Sequence, residues 1–204
     1  MLRETIIQII NQTWPMIVIC IIILVSLRIV YILKNKVKIK LYKELITLGF
    51  IIYFMCLFYV VTFQDVSWSG SNIIPFKEIF RYEIGSKQFI KNIIGNVFLF
   101  LPYGVAIAYY TKTTKIRYAF LLGLILSFSI ETIQYLIGRV YDIDDIILNI
   151  FGCVLGFSIY LGLQEISKSL PNFLKKDSVY NIIIVTLLII VIIYLLQIFG
   201  VITW

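Results

Sequence analysis

Histidine is absent from this chain. That removes imidazole general bases, His-bearing catalytic triads and imidazole metal ligands in one step. Any acid–base chemistry must use carboxylates, tyrosine, lysine or water. Cysteine is scarce: Cys20, Cys56 and Cys153 each lie inside an apolar run. An odd number of such thiols is no disulfide framework, and each reads as a small hydrophobe. Charge is scarce too, at 14% of residues, against about 25% in soluble domains. No internal repeat, low-complexity linker or cofactor-binding motif stands out, so no cofactor is expected.

What is present is apolar. The 204 residues are 61% hydrophobic, and the mean hydropathy is +0.98. One soluble core of this size cannot hide that surplus. A soluble enzyme, a disordered chain, a fibrous protein and a nucleic-acid-binding domain are set aside as leading readings. The bilayer is the solvent. The net charge of +7 does not reverse this. Its basic residues cluster in short loops, where they act as topology signals and contacts with anionic lipid.

Six apolar runs stand out: 14–33, 45–63, 93–110, 118–137, 146–163 and 179–199. Each is long enough to cross a hydrocarbon core of about 30 Å as a helix. Backbone groups in lipid must be bonded internally, which dictates helices. The expected fold is all-α: a polytopic membrane protein of about six transmembrane helices, with 1–204 forming a single membrane domain. Pro102 and Gly104 fall mid-span in the third run. The proline should kink that helix and free the Phe98 carbonyl, a packing feature first and a hinge second.

Loops 34–44, 111–117 and 164–178 hold most of the lysine and arginine, including Lys34, Lys36, Lys38, Lys40 and Lys43. The positive-inside rule places them in the cytoplasm and both termini outside. Residues 2–13 carry spaced apolar positions and are predicted to lie along the interface as a short amphipathic helix. The longest non-spanning segment, 64–92, then lies outside.

Polar groups inside the spans are few and gather on that same outer side. Asn92 and Asn96 open the third helix at i, i+4. Ser127, Glu131 and Gln134 share one face of the fourth at i, i+4, i+7. Arg139, Asp142, Asp144 and Asp145 follow in the next loop, and Asn149 lies one turn into the fifth helix. Asp145, Asn149, Gly152 and Gly156 form one stripe, polar outside and small further in; the glycines invite a neighbouring helix to approach closely. Glu131 sits roughly 10 Å inside its helix end at 1.5 Å per residue. A carboxylate at that depth needs a partner, and Arg139 is the nearest candidate. A Glu–Arg pair among amides could serve only to lock helix packing. Convergence of three helices at one depth favours a site instead.

The segments NIIPFKEI (72–79), NIIGNVFLFLPYGV (92–105) and SIETIQYLIGRVYDIDDIILNIFGCVLG (129–156) resemble the VanZ-like family of bacterial membrane proteins. The resemblance covers about 72–160, taken as the family core. Glu131, Gln134, Arg139, Asp142, Asp145, Asn149 and Gly152 carry its most specific part. It implies a multi-pass protein of the plasma membrane of Gram-positive bacteria. It also implies an envelope role of the kind linked to lowered susceptibility to teicoplanin-type glycopeptides. It supplies no catalytic residues.

Three readings follow. The first is a binding protein whose outward site holds an amphiphile, such as a lipid-linked wall precursor or a lipoglycopeptide. Asn92, Asn96, Ser127, Glu131, Gln134, Arg139, Asp142, Asp145 and Asn149 would line that site, with Arg139 suited to phosphate or carboxylate. The second is a membrane hydrolase or transferase acting on a wall precursor, with Glu131 or Asp145 as the acid–base group. Asp142, Asp144 and Asp145 are a cation site in that reading, but equally an ordinary helix N-terminus. The third, a transporter or structural partner, lacks inverted repeats and a midplane site. The oligomeric state is left open.

Overall fold

The structure is a computed structural model that describes residues 2–36, 38–63 and 71–199. Among the described residues, six helices are long and apolar enough to cross a membrane. We label them α1 (Leu2–Asn35), α2 (Leu41–Phe63), α3 (Lys87–Thr111), α4 (Ile116–Leu136), α5 (Ile143–Ser169) and α6 (Asp177–Ile198). The chain is an all-α, multi-pass membrane protein.

It divides into two compact units. One comprises Met1–Val60 and Leu170–Trp204, the other Val61–Ser169. In the first unit α1 runs from Leu2 to Asn35 without a break. Residues 2–13 are therefore not a separate interfacial helix. A continuous helix keeps the backbone groups of this segment bonded, with Pro15 accommodated inside it. Side-chain contacts join the helices of this unit. Arg28 Nη2 meets Glu44 Oε1 at 2.7 Å, and Lys40 Nζ meets Asp177 Oδ2 at 2.8 Å. That bond to Asp177 pushes the Lys40 ammonium above its ordinary pKa. The Tyr42 amide donates to Asn181 Oδ1 at 3.0 Å. The most apolar stretches of α1 and α6 bury none of their residues inside the protein, as lipid-facing helices should.

The second unit is built on α3, α4 and α5, with α3 and α5 packed most extensively. Glycine sets that packing. A Cβ on Gly152 would lie 2.2 Å from the Val97 carbonyl oxygen, and one on Gly156 2.0 Å from that of Leu101. From the other side, a Cβ on Gly104 would lie 1.9 Å from the Cys153 carbonyl oxygen. The helices therefore touch backbone to backbone, as small residues permit in lipid. Phe100, Ala119, Cys153 and Phe157 are fully buried around this seam. The Cys153 thiol donates to the Ala119 carbonyl at 3.3 Å, tying α4 to α5.

The third helix is irregular. Ser86 caps its first turn, accepting from the Phe89 amide at 3.1 Å. A wide π turn follows at Ile90–Ile94, a form frequent at functional sites. Pro102 then kinks the remaining Gly95–Thr111 segment by removing one ladder bond.

Candidate functional site

The polar residues meet at one end of the second unit. There the loop before α3 is fastened to the start of α5. The Asn72 amide donates to the Tyr141 carbonyl at 2.8 Å, and the Ile143 amide to the Asn72 carbonyl at 3.0 Å. The Asn72 side-chain amide donates to Asp142 Oδ1 at 2.9 Å.

Asp144 completes the fastening and is itself buried. Its Oδ1 accepts from the Phe76 amide at 2.5 Å. Its Oδ2 accepts from the amides of Glu78 at 2.7 Å and Ile79 at 3.3 Å. A carboxylate with three backbone donors is satisfied without a metal cation. Phe76 takes a left-handed φ of 66°, uncommon for an aromatic residue, and the bond to Asp144 stabilises it. Among the described residues no cluster of carboxylates and cysteines has a metal-holding arrangement.

The other sequence-named residues divide into two groups. Asn92 turns to the loop, donating to the Tyr82 hydroxyl at 2.8 Å. Tyr82 donates onward to Glu78 at 3.3 Å, and Arg81 closes on the same carboxylate at 3.1 Å. Burial pushes the Tyr82 phenol up. Asp142 belongs to the fastening. Burial raises its carboxyl above the ordinary value, opposed by the bonds from Asn72 and the Asp144 amide. Asn92 and Asp142 therefore hold the loop.

The second group lies between the helices. Asn149 Nδ2 donates to the Ser127 hydroxyl at 3.0 Å, linking α5 to α4. One turn further out on each helix stand Asp145 and Glu131. Asn96 on α3 donates to Asp145 Oδ1 at 2.5 Å, and the Asp142 amide donates to Glu131 Oε2 at 3.0 Å. Each carboxyl group thus has one oxygen hydrogen-bonded and one without such a bond among the described residues. Asn149 Oδ1 is also buried without a hydrogen-bond partner.

Arg139 does not form the expected ion pair with Glu131. Its Nη1 donates to the Val61 carbonyl at 2.6 Å, and Gln134 Nε2 reaches the same oxygen at 3.3 Å. Val61 lies in the last described turn of α2, and two side chains of the unit donate to its carbonyl. Nη1 is the guanidinium nitrogen engaged there.

Asn72 and Tyr82 were not legible as participants. Asn72 lies in the NIIPFKEI segment, which was one available signal; nothing marks Tyr82.

The VanZ/LLP1 family profile matches residues 50–164. It starts before and ends after the stretch that carries the resemblance, and it takes in the second half of α2. Protein VanZ of Enterococcus faecium is 26% identical over 152 residues, spanning 74% of this chain and 86% of that protein. No solved structure matches the chain.

Proposed function

This chain belongs to the VanZ/LLP1 family, and on that premise we propose that its α3–α5 cluster is a binding site for an amphiphile. The observation that carries the reading is the unused hydrogen-bonding capacity of the inner group. One oxygen each of Glu131 and Asp145, together with Asn149 Oδ1, accept nothing from the described residues. Asn149 Oδ1 is the buried one of these, and a buried polar atom ordinarily finds a partner, so it suits an amine or hydroxyl of a ligand head. Arg139, beside them in sequence, adds donors for phosphate or carboxylate. Asn96 and Ser127 position the acidic and amide groups. Asn92, Gln134 and Asp142 support the surrounding backbone.

The ligand classes that fit are a lipid-linked wall precursor and a lipoglycopeptide. Each has a polar head and an apolar chain for lipid-facing helix surfaces such as Phe98 and Phe128, both exposed on the protein. Binding would lower susceptibility to teicoplanin-type glycopeptides by retaining the drug or altering its access. The loop charges support a topology in which both termini and this cluster face outward. A membrane hydrolase or transferase using Glu131 or Asp145 is the second reading, favoured by two carboxyl groups each held by a hydrogen bond to one oxygen.

The test is susceptibility of a sensitive Gram-positive host to teicoplanin and to vancomycin. Empty vector, wild type and Glu131→Gln are compared at equal membrane levels. Selective teicoplanin protection that Glu131→Gln loses is the expected result. No protection by well-expressed wild type would overturn the glycopeptide role.

A further inference from the structure

The loop between α2 and α3 presents a surface that the binding reading does not use. Ile73, Ile74, Phe76, Phe80 and Ile84 are 71, 59, 50, 83 and 90% exposed. Five large apolar side chains in twelve residues are not a tolerated scatter on a watery loop. Nor is their exposure a matter of slack chain. The Asn72–Tyr141 and Ile143–Asn72 backbone bonds and the three amides on Asp144 hold the loop backbone in place. The Phe76 and Phe80 rings sit 6.3 Å apart as one patch.

Position and charge indicate what covers this patch. The loop is bonded to the first residues of α5, a spanning helix, and it leads directly into α3. That puts it at the edge of the hydrocarbon, where amphipathic segments lie with apolar side chains inward. Basic residues Lys77, Arg81, Lys87 and Lys91 accompany it, against Glu78 and Glu83. Glu78 is already paired with Arg81, while Lys77, Lys87 and Lys91 are exposed. A rigid apolar patch beside exposed ammonium groups is complementary to headgroup phosphate over acyl chains.

We propose that the loop 72–86 is a preformed wedge that docks on an anionic phospholipid surface through Ile73, Phe76, Phe80 and Ile84, with Lys77, Lys87 and Lys91 engaging the headgroups. This holds whichever side of the membrane the loop faces, and it does not depend on the ligand of the inner cluster.

The test places a photoreactive benzoylphenylalanine at Phe80 or Ile84 of the full chain. Phe128, a lipid-facing position on α4, serves as the control. The protein is reconstituted in nanodiscs of phosphatidylcholine alone or mixed with phosphatidylglycerol, and irradiated. Lipid adducts at Phe80 and Ile84 as abundant as those at Phe128 are expected. Phosphatidylglycerol should exceed its mole fraction among them by about twofold or more. That excess should vanish when Lys77→Gln, Lys87→Gln and Lys91→Gln are combined. Three results would overturn the proposal: no adduct at Phe80 or Ile84 while Phe128 gives one, adducts that merely follow mole fraction, or cross-links to a second protein chain.

Discussion

The carboxylate of Asp144 holds the backbone amide of Phe76 at 2.5 Å, across 68 positions of sequence. This contact joins the start of the spanning helix α5 to the loop that precedes α3, two spanning helices earlier.

Removing it should free the loop. In Asp144→Ala the amides of Phe76, Glu78 and Ile79 lose their acceptor. Hydrogen exchange should then accelerate at these three positions while the buried seam of α3 and α5 stays protected. A loss of about 1.5–3 kcal/mol in local stability is expected for bonds to a charged group. Unchanged exchange at all three would contradict the assignment.

The glycine seam makes a sharper demand. Gly156→Ala would put a methyl group 2.0 Å from the Leu101 carbonyl oxygen. The helices must part, so folded protein in detergent should fall steeply. At Gly49 on α2 a Cβ meets nothing within 4 Å. Gly49→Ala should be neutral or stabilising by up to about 1 kcal/mol from helix propensity. Thermal denaturation of both variants decides it; equal effects would refute the seam.

Ser127 and Asn149 should be coupled. A double-mutant cycle with Ser127→Ala and Asn149→Ala should show an interaction of about 0.6–1.7 kcal/mol, the range for hydrogen bonds within membrane proteins. Strict additivity would mean that the bond contributes nothing.

Asp142 gives a pH signature. Its carboxyl is raised in the folded protein, chiefly by burial. The fold therefore favours the protonated form, and this contribution is present at low pH. It is lost as pH rises through the raised folded value. Asp142→Asn lacks the titration and can keep an acceptor oxygen for Asn72. Its Tm relative to wild type should rise as pH moves from below the ordinary carboxylate range to neutrality. A difference independent of pH would exclude this origin.

The six spans were legible because lipid forces long apolar helices on any chain it dissolves. The gathering of Ser127, Glu131, Asp145 and Asn149 was legible from helical spacing, since residues four apart share a face. The glycine seam was legible for the same reason. What could not be read were contacts with backbone atoms. Arg139 was expected on Glu131 because opposite charges attract, yet it meets the Val61 carbonyl, which carries no sequence label. Asp144 likewise accepts from loop amides. The π turn at Ile90–Ile94 has no distinctive composition and was not anticipated. Residues 2–13, expected as a separate interfacial helix from their spaced apolar positions, continue instead into one helix with the first span.

The contact of Gly152 and Gly156 with the main chain of α3 also bears on how this chain can change over evolutionary time. Main-chain atoms are common to all residues, so the spacing between α3 and α5 is insensitive to substitutions on their outward faces. Asn96 and Asp145 ride on those two helices. Their registration is inherited from three residues without side chains, Gly104 included. The lipid-exposed surface is thereby left to drift among apolar residues, while the polar end keeps its dimensions.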